Sequence, residues 1–99
     1  MPIIWRLPDG RLEIERIAPK VLDHEQRLHP EETVAQTVER IALTMIRPKR
    51  AYLAGLTPVL VVEASLPATR VRRNQWRLNR ANEIVVDPTV PDTPPPARG

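Results

Sequence analysis

The chain has no cysteine and no phenylalanine, only three glycines and only three aromatic residues, Trp5, Tyr52 and Trp76. Without cysteine there is no disulfide and no thiolate chemistry, which is compatible with a reducing compartment. The glycines, Gly10, Gly55 and Gly99, are far apart, so no glycine-rich phosphate loop can form. Ser65 is the only serine and has no neighbouring histidine to activate it. No apolar run approaches the roughly 18 residues that span a bilayer. The opening MPIIWRLPDG lacks the apolar core of a signal peptide. These absences lead to the expectation of a soluble protein used without secretion.

What is present is proline and an uneven charge. Twelve prolines in 99 residues punctuate the chain, and one domain is the most this length allows. The net charge of +3 conceals a partition. Residues 1–45 carry six basic and eight acidic side chains. Residues 46–80 carry eight basic groups against Glu63 alone, and residues 81–99 carry Arg98 against Glu83, Asp87 and Asp92. The basic character is therefore local, and it biases which surface meets a partner.

Hydrophobic periodicity predicts a small α+β domain over residues 1–87, with the order β-β-α-β-β, and an extended proline-rich tail over 88–99. Ile3, Trp5 and Leu7 alternate with Ile4 and Arg6, while Leu12 and Ile14 alternate with Arg11, Glu13 and Glu15. Period two suits strands with one buried face. Pro8-Asp9-Gly10 between them suits a type I turn followed by a bulge. Residues 19–29 lack a clear period and read as a connection with room for one helical turn. Pro30 then suits the first position of a helix, with Glu31 and Glu32 at its positive end. Val34, Val38, Ile41 and Met45 form its apolar stripe, flanked by Leu43 and Ile46. That helix should cover one face of the sheet. Val59-Leu60-Val61-Val62, apolar on both faces, reads as a central strand ended by Pro67. Ile84-Val85-Val86 reads as a fourth strand, stopped at Asp87-Pro88.

Chemistry-bearing clusters are few. Asp23-His24-Glu25 with His29 does not have the spacing of a helical zinc pair, because the histidines are five apart. These residues read as solvated, and no metal ligand or cofactor is expected. Glu13/Glu15 read as the exposed face of a hairpin strand, and Glu31/Glu32 as a helix start. No catalytic residue is assigned.

The distinctive segment is TRVRRNQWRLNR, residues 69–80. Arg70, Arg72, Arg73, Arg77 and Arg80 surround Trp76, with no acid among them. Arginines attract phosphates and an indole can stack on a base, so direct nucleic-acid binding is one reading. No helix-turn-helix, zinc pattern or aromatic strand motif supports it. Arginine and tryptophan are also favoured anchors of protein interfaces, where the guanidinium forks onto carboxylates. Arg70, Arg72, Arg73, Trp76, Arg77 and Arg80 are therefore the candidate partner-binding residues. Trp76 is also needed as core volume in so small a domain, and the ring can anchor the segment while the arginines face outward. If the segment forms a helical turn or two, Arg70, Arg73, Trp76 and Arg77 share a face. Glu63 and Glu83 are the acids at hand to pair with some of these arginines.

Leu66-Pro67-Ala68-Thr69-Arg70-Val71-Arg72-Arg73-Asn74-Gln75-Trp76 resembles a segment of small proteins of tailed bacteriophages. Those proteins carry an acid, leucine-proline, aspartate-arginine and then phenylalanine-arginine-x-alanine-tryptophan, before a short apolar strand ending in aspartate. Leu66, Pro67, Arg70, Arg73 and Trp76 match, and Ile84-Val85-Val86-Asp87 is similar to the closing strand. The start Ile3-Ile4-Trp5-Arg6 with Pro8-Asp9-Gly10 is also similar. Ser65 and Thr69 stand where acids are usual, Arg72 where phenylalanine is, and Gln75 where alanine is. The resemblance implies a virion or tail-assembly setting, in the particle or the host cytoplasm. It implies no catalytic residue. The partners expected in that setting are other phage structural proteins, and a domain this small would gain stability from many copies or a larger assembly. An alternative in the same setting is an inhibitor of a host nucleic-acid machine that binds through the basic surface.

Overall fold

The computed structural model describes residues 1–67 and 71–93. They form a small α+β domain with two antiparallel sheets. β1 (Ile3–Arg6) and β2 (Leu12–Glu15) make the N-terminal hairpin, and β3 (Val59–Leu60) pairs with the other edge of β1. β4 (Trp76–Leu78) and β5 (Ile84–Val86) make a separate two-stranded ribbon. Helices α1 (Pro19–Leu28) and α2 (Val34–Ile41) lie between β2 and β3 in the chain. No helix among the described residues is long and apolar enough to cross a membrane.

The first hairpin follows its turn chemistry. Gly10 N–H donates to the Leu7 carbonyl and Leu7 N–H to the Arg11 carbonyl, each at 2.8 Å. Asp9 Oδ1 accepts from Arg11 N–H at 2.9 Å, and Gly10 sits at φ +89°. This is a type I turn closed by a glycine bulge. A Cβ at Gly10 would also lie 3.3 Å from Arg77 Nε. Gly10→Ala is therefore expected to cost about 1–2 kcal/mol, mostly from the left-handed backbone. Urea denaturation checks this, and a double-mutant cycle with Arg77→Ala should assign only the smaller part of the cost to the contact.

β1, not β3, is the central strand. Ile3, Ile4 and Trp5 are all wholly buried, so both faces of β1 are covered rather than one. Ile3 and Trp5 point to the helical side, where Val38, Ala42 and Leu53 complete the core. Ile4 has the opposite parity and points to the other face. The ribbon packs beside the hairpin, with β4 against β2. The third strand was expected over Val59–Val62 in the centre of the sheet, but it spans two residues at an edge. Val61 N–H still bonds the Pro2 carbonyl at 3.2 Å. The chain then enters a tight turn at Glu63–Ser65, where Glu63 pairs with Arg16 at 2.7 Å. That turn, and not Pro67, takes the chain out of the strand.

The helices also differ from the periodic reading. Residues 19–29 hold a ten-residue helix, not a connection. No α1 residue is fully buried, which is why no apolar period marks it. It is held to the domain by Glu25, which pairs with Arg40 of α2 at 2.8 Å, and by Leu22, which packs against the core; Asp23 and Arg27 pair within the helix at 3.1 Å. α2 begins after Thr33, not at Pro30. The Thr33 hydroxyl accepts from Gln36 N–H and the Gln36 side chain accepts from Thr33 N–H, a reciprocal cap. Glu32 is thereby freed from the helix start and grips Arg40. Past Ile41 the helix widens into a π turn, Ala42–Ile46. The wider turn rotates the stripe off the core. Val38 and Ile41 are buried, whereas Val34 and Met45 at the stripe's ends are exposed.

The Glu25–Arg40–Glu32 cluster links stability to pH. Hydrogen bonds from Arg40 hold both carboxyls below the usual carboxylate range. Arg16 does the same for Glu63, and the Thr89 hydroxyl and N–H for Asp87. A carboxyl with a depressed pKa contributes stability above its unfolded pKa and loses it as pH falls through the folded value. The melting temperature should thus stay level from neutral pH to about 5 and fall below roughly 4.3, the unfolded value for glutamate. Thermal melts across that window check this, and Glu32→Gln should shallow the acid slope.

Candidate functional site

The arginine segment folds as a short ribbon, not as a helix. Arg72 adopts a left-handed backbone, φ 62°, and its carbonyl accepts from Gln75 N–H at 2.8 Å. A single 3₁₀ turn, Arg73–Gln75, leads straight into β4. The shared helical face predicted for Arg73, Trp76 and Arg77 does not form, because alternation in β4 sends Trp76 and Arg77 to opposite sides. β4 itself was missed by the sequence reading: three residues with a central arginine give almost no periodic signal. The loop to β5 is organised by Asn79, whose Oδ1 accepts from Ala81 and Glu83 N–H at 2.9 and 3.0 Å. Asn82 supplies the positive φ, 59°.

The six candidate residues therefore have different surroundings. Trp76 is 4% exposed, so its ring anchors the ribbon and is not part of the surface. Arg77 is a strut: its Nη1 donates to the carbonyls of Asn74 and Trp76 at 2.8 and 2.7 Å, and its stem crosses Gly10. Arg72 and Arg73 are exposed at the start of the ribbon, and Arg80 is exposed at its loop. The three residues of β4, about 10 Å of strand, lie between these two ends. Arg70 lies outside the described residues.

The acids expected beside these arginines are engaged elsewhere. Glu63 pairs with Arg16, and Glu83 accepts from the Asn79 side-chain amide at 3.1 Å. Among the described residues no carboxylate pairs with Arg72, Arg73 or Arg80. The contrast with other arginines is sharp. Arg11, Arg16, Arg27, Arg40 and Arg50 each hold an acid of the fold. Arg6 was overlooked in the sequence and is also exposed, with no acid paired to it among the described residues. Its parity matches Ile4, so it leaves β1 on the face of Ile4.

The remaining polar clusters have structural work. Glu15 receives both Nη groups of Arg50 at 2.9 and 3.1 Å, and Glu13 accepts from the Tyr52 hydroxyl at 2.8 Å. These two acids are half-buried anchors rather than the open face expected for them. His29 faces Glu31 at 3.6 Å, and no group of three metal-binding side chains occurs among the described residues. The described part of the tail folds back on the domain. Asp87 Oδ1 accepts from the N–H and hydroxyl of Thr89 at 2.9 and 2.6 Å. The Val90 carbonyl accepts from Gln75 Nε2 at 2.7 Å, and the Thr93 carbonyl from Arg11 at 2.8 Å. Residues 94–99, the proline-rich end, lie outside the described residues.

No protein-family model, curated protein or solved structure matches the chain.

Proposed function

We propose that the chain is a non-enzymatic structural or assembly protein of a tailed bacteriophage. It acts in the virion, or in the host cytoplasm during assembly, by docking on other phage structural proteins. The observation that carries this reading is the set of exposed arginines, Arg72, Arg73 and Arg80, which have no acid of their own fold among the described residues. Exposed guanidinium groups fork onto carboxylates of a second polypeptide at little cost to the fold. The resemblance of Leu66–Trp76 to phage proteins supplies the setting. Burial of Trp76 removes the base-stacking half of the nucleic-acid reading.

Mass spectrometry of purified particles tests the proposal. The chain should be recovered at a fixed ratio to the other virion proteins. Recovery from infected cells but not from particles or assembly intermediates would favour the inhibitor of a host nucleic-acid machine.

A further inference from the structure

The ribbon has two outer edges, and they are not alike. Asn79 N–H bonds the Glu83 carbonyl at 3.0 Å and Asp87 N–H bonds the Gln75 carbonyl at 2.9 Å. With Arg77 opposite Val85, these bonds set the phase of the ladder. Odd-numbered residues face across the ribbon, and even-numbered ones turn their backbone groups outward. On β4 the outward carbonyl of Trp76 is taken by Arg77, and the strand lies against β2. On β5 the outward groups belong to Ile84 and Val86, and among the described residues nothing bonds them. Val85 and Val86 beside them are 40% and 41% exposed. Such an edge is a template for an extended segment.

The charges around this edge select the occupant. Glu83, Val85 and Asp87 share one face with Arg77, whose charge acts on Asp87, while Ile84 and Val86 share the face of Leu78 and Trp76. An antiparallel strand bonded to Ile84 and Val86 would meet an acid at each end and apolar side chains between. A second copy does not fit. The symmetric register sets Glu83 against Asp87 twice, and like charges directly opposite are destabilising. Sliding one way needs Asn82 extended, but its φ is 59°. Sliding the other way needs an N–H from Pro88, which has none. The described tail departs on the far side, held by Gln75 and Arg11.

We propose that the outer edge of β5 receives an extended strand of another protein, with basic residues flanking a three-residue apolar or β-branched centre. This rests on the reading that the chain works through protein contacts, but it uses a surface separate from the arginines and of opposite charge preference.

The test is amide hydrogen exchange by NMR on the full chain, with millimolar capped Lys-Val-Thr-Val-Lys peptide. The Ile84 and Val86 amides should exchange roughly tenfold more slowly with peptide, and Val85 should not change. Val86→Pro, which deletes an outward N–H and spares the ladder, should abolish the effect. Glu83→Lys with Asp87→Lys should transfer it to the Glu-Val-Thr-Val-Glu peptide. The proposal is overturned if the two amides do not slow, if both peptides protect the unmodified chain equally, or if protection grows with protein concentration alone. Substituting Arg72, Arg73 and Arg80 should leave peptide protection intact. Failure of the strand site is thus distinguishable from failure of the arginine surface.

Discussion

Trp5→Ala is expected to cost about 3–5 kcal/mol of folding stability. Trp5 is wholly buried on the central strand and belongs to the cluster with Ile3, Val38, Ala42 and Leu53. It is one of only three aromatic residues, so no other ring can fill the space. A chain this size has roughly 5–15 kcal/mol in total. The variant should therefore unfold at far lower urea, or show no cooperative transition. Trp5→Phe separates volume from polarity. The indole Nε1 is buried without a partner among the described residues, so its removal relieves an unpaired donor while most of the ring remains. That variant should lose less than about 2 kcal/mol. A loss below about 1 kcal/mol for Trp5→Ala would show that the core is not organised around β1.

Combined replacement of Arg72, Arg73 and Arg80 by glutamine should behave in the opposite way. These side chains are exposed and hold no acid among the described residues, so stability should change by less than about 0.5 kcal/mol. Interface arginines can contribute about 2 kcal/mol each when they anchor a partner. Binding to the partner should therefore fall by at least about a hundredfold, since each 1.4 kcal/mol is tenfold. Arg77→Gln makes an informative contrast. Arg77 bonds two carbonyls within the ribbon, so its loss should reach stability as well as docking. A triple variant that melts early would assign these arginines to the fold instead.

The legible parts of the fold were those specified by local chemistry. Pro8-Asp9-Gly10 dictated the hairpin, and Ile84-Val85-Val86 with Asp87-Pro88 dictated the last strand. The parts that were not legible depend on long-range pairing. α1 buries no residue fully and is held partly by Arg40, fifteen residues away from Glu25, a pairing that leaves no periodic signal. Thr33 and Gln36 compete with Pro30 for the helix start and win by satisfying each other's backbone. Met45 keeps helical spacing in the sequence, but the π turn moves it off the core. β3 has the composition of a central strand, yet Ile4 and Trp5 already occupy the middle of the sheet. At the candidate site, the density of arginines was visible, as was the ability of Trp76 to serve as core. The division into paired and unpaired arginines was not, because it depends on where Glu63 and Glu83 find partners.

In the proposed function, arginines without an acid among the described residues, on a ribbon anchored by a buried indole, meet the acids of a neighbouring polypeptide. The most direct measurement is the amount of the chain in purified particles, by quantitative mass spectrometry, for the unmodified protein and for the triple glutamine variant. The unmodified chain should be present at a constant ratio, and the equally stable variant should be depleted about tenfold or more. Equal recovery of the two would contradict the account, as would absence of the unmodified chain from particles and their assembly intermediates.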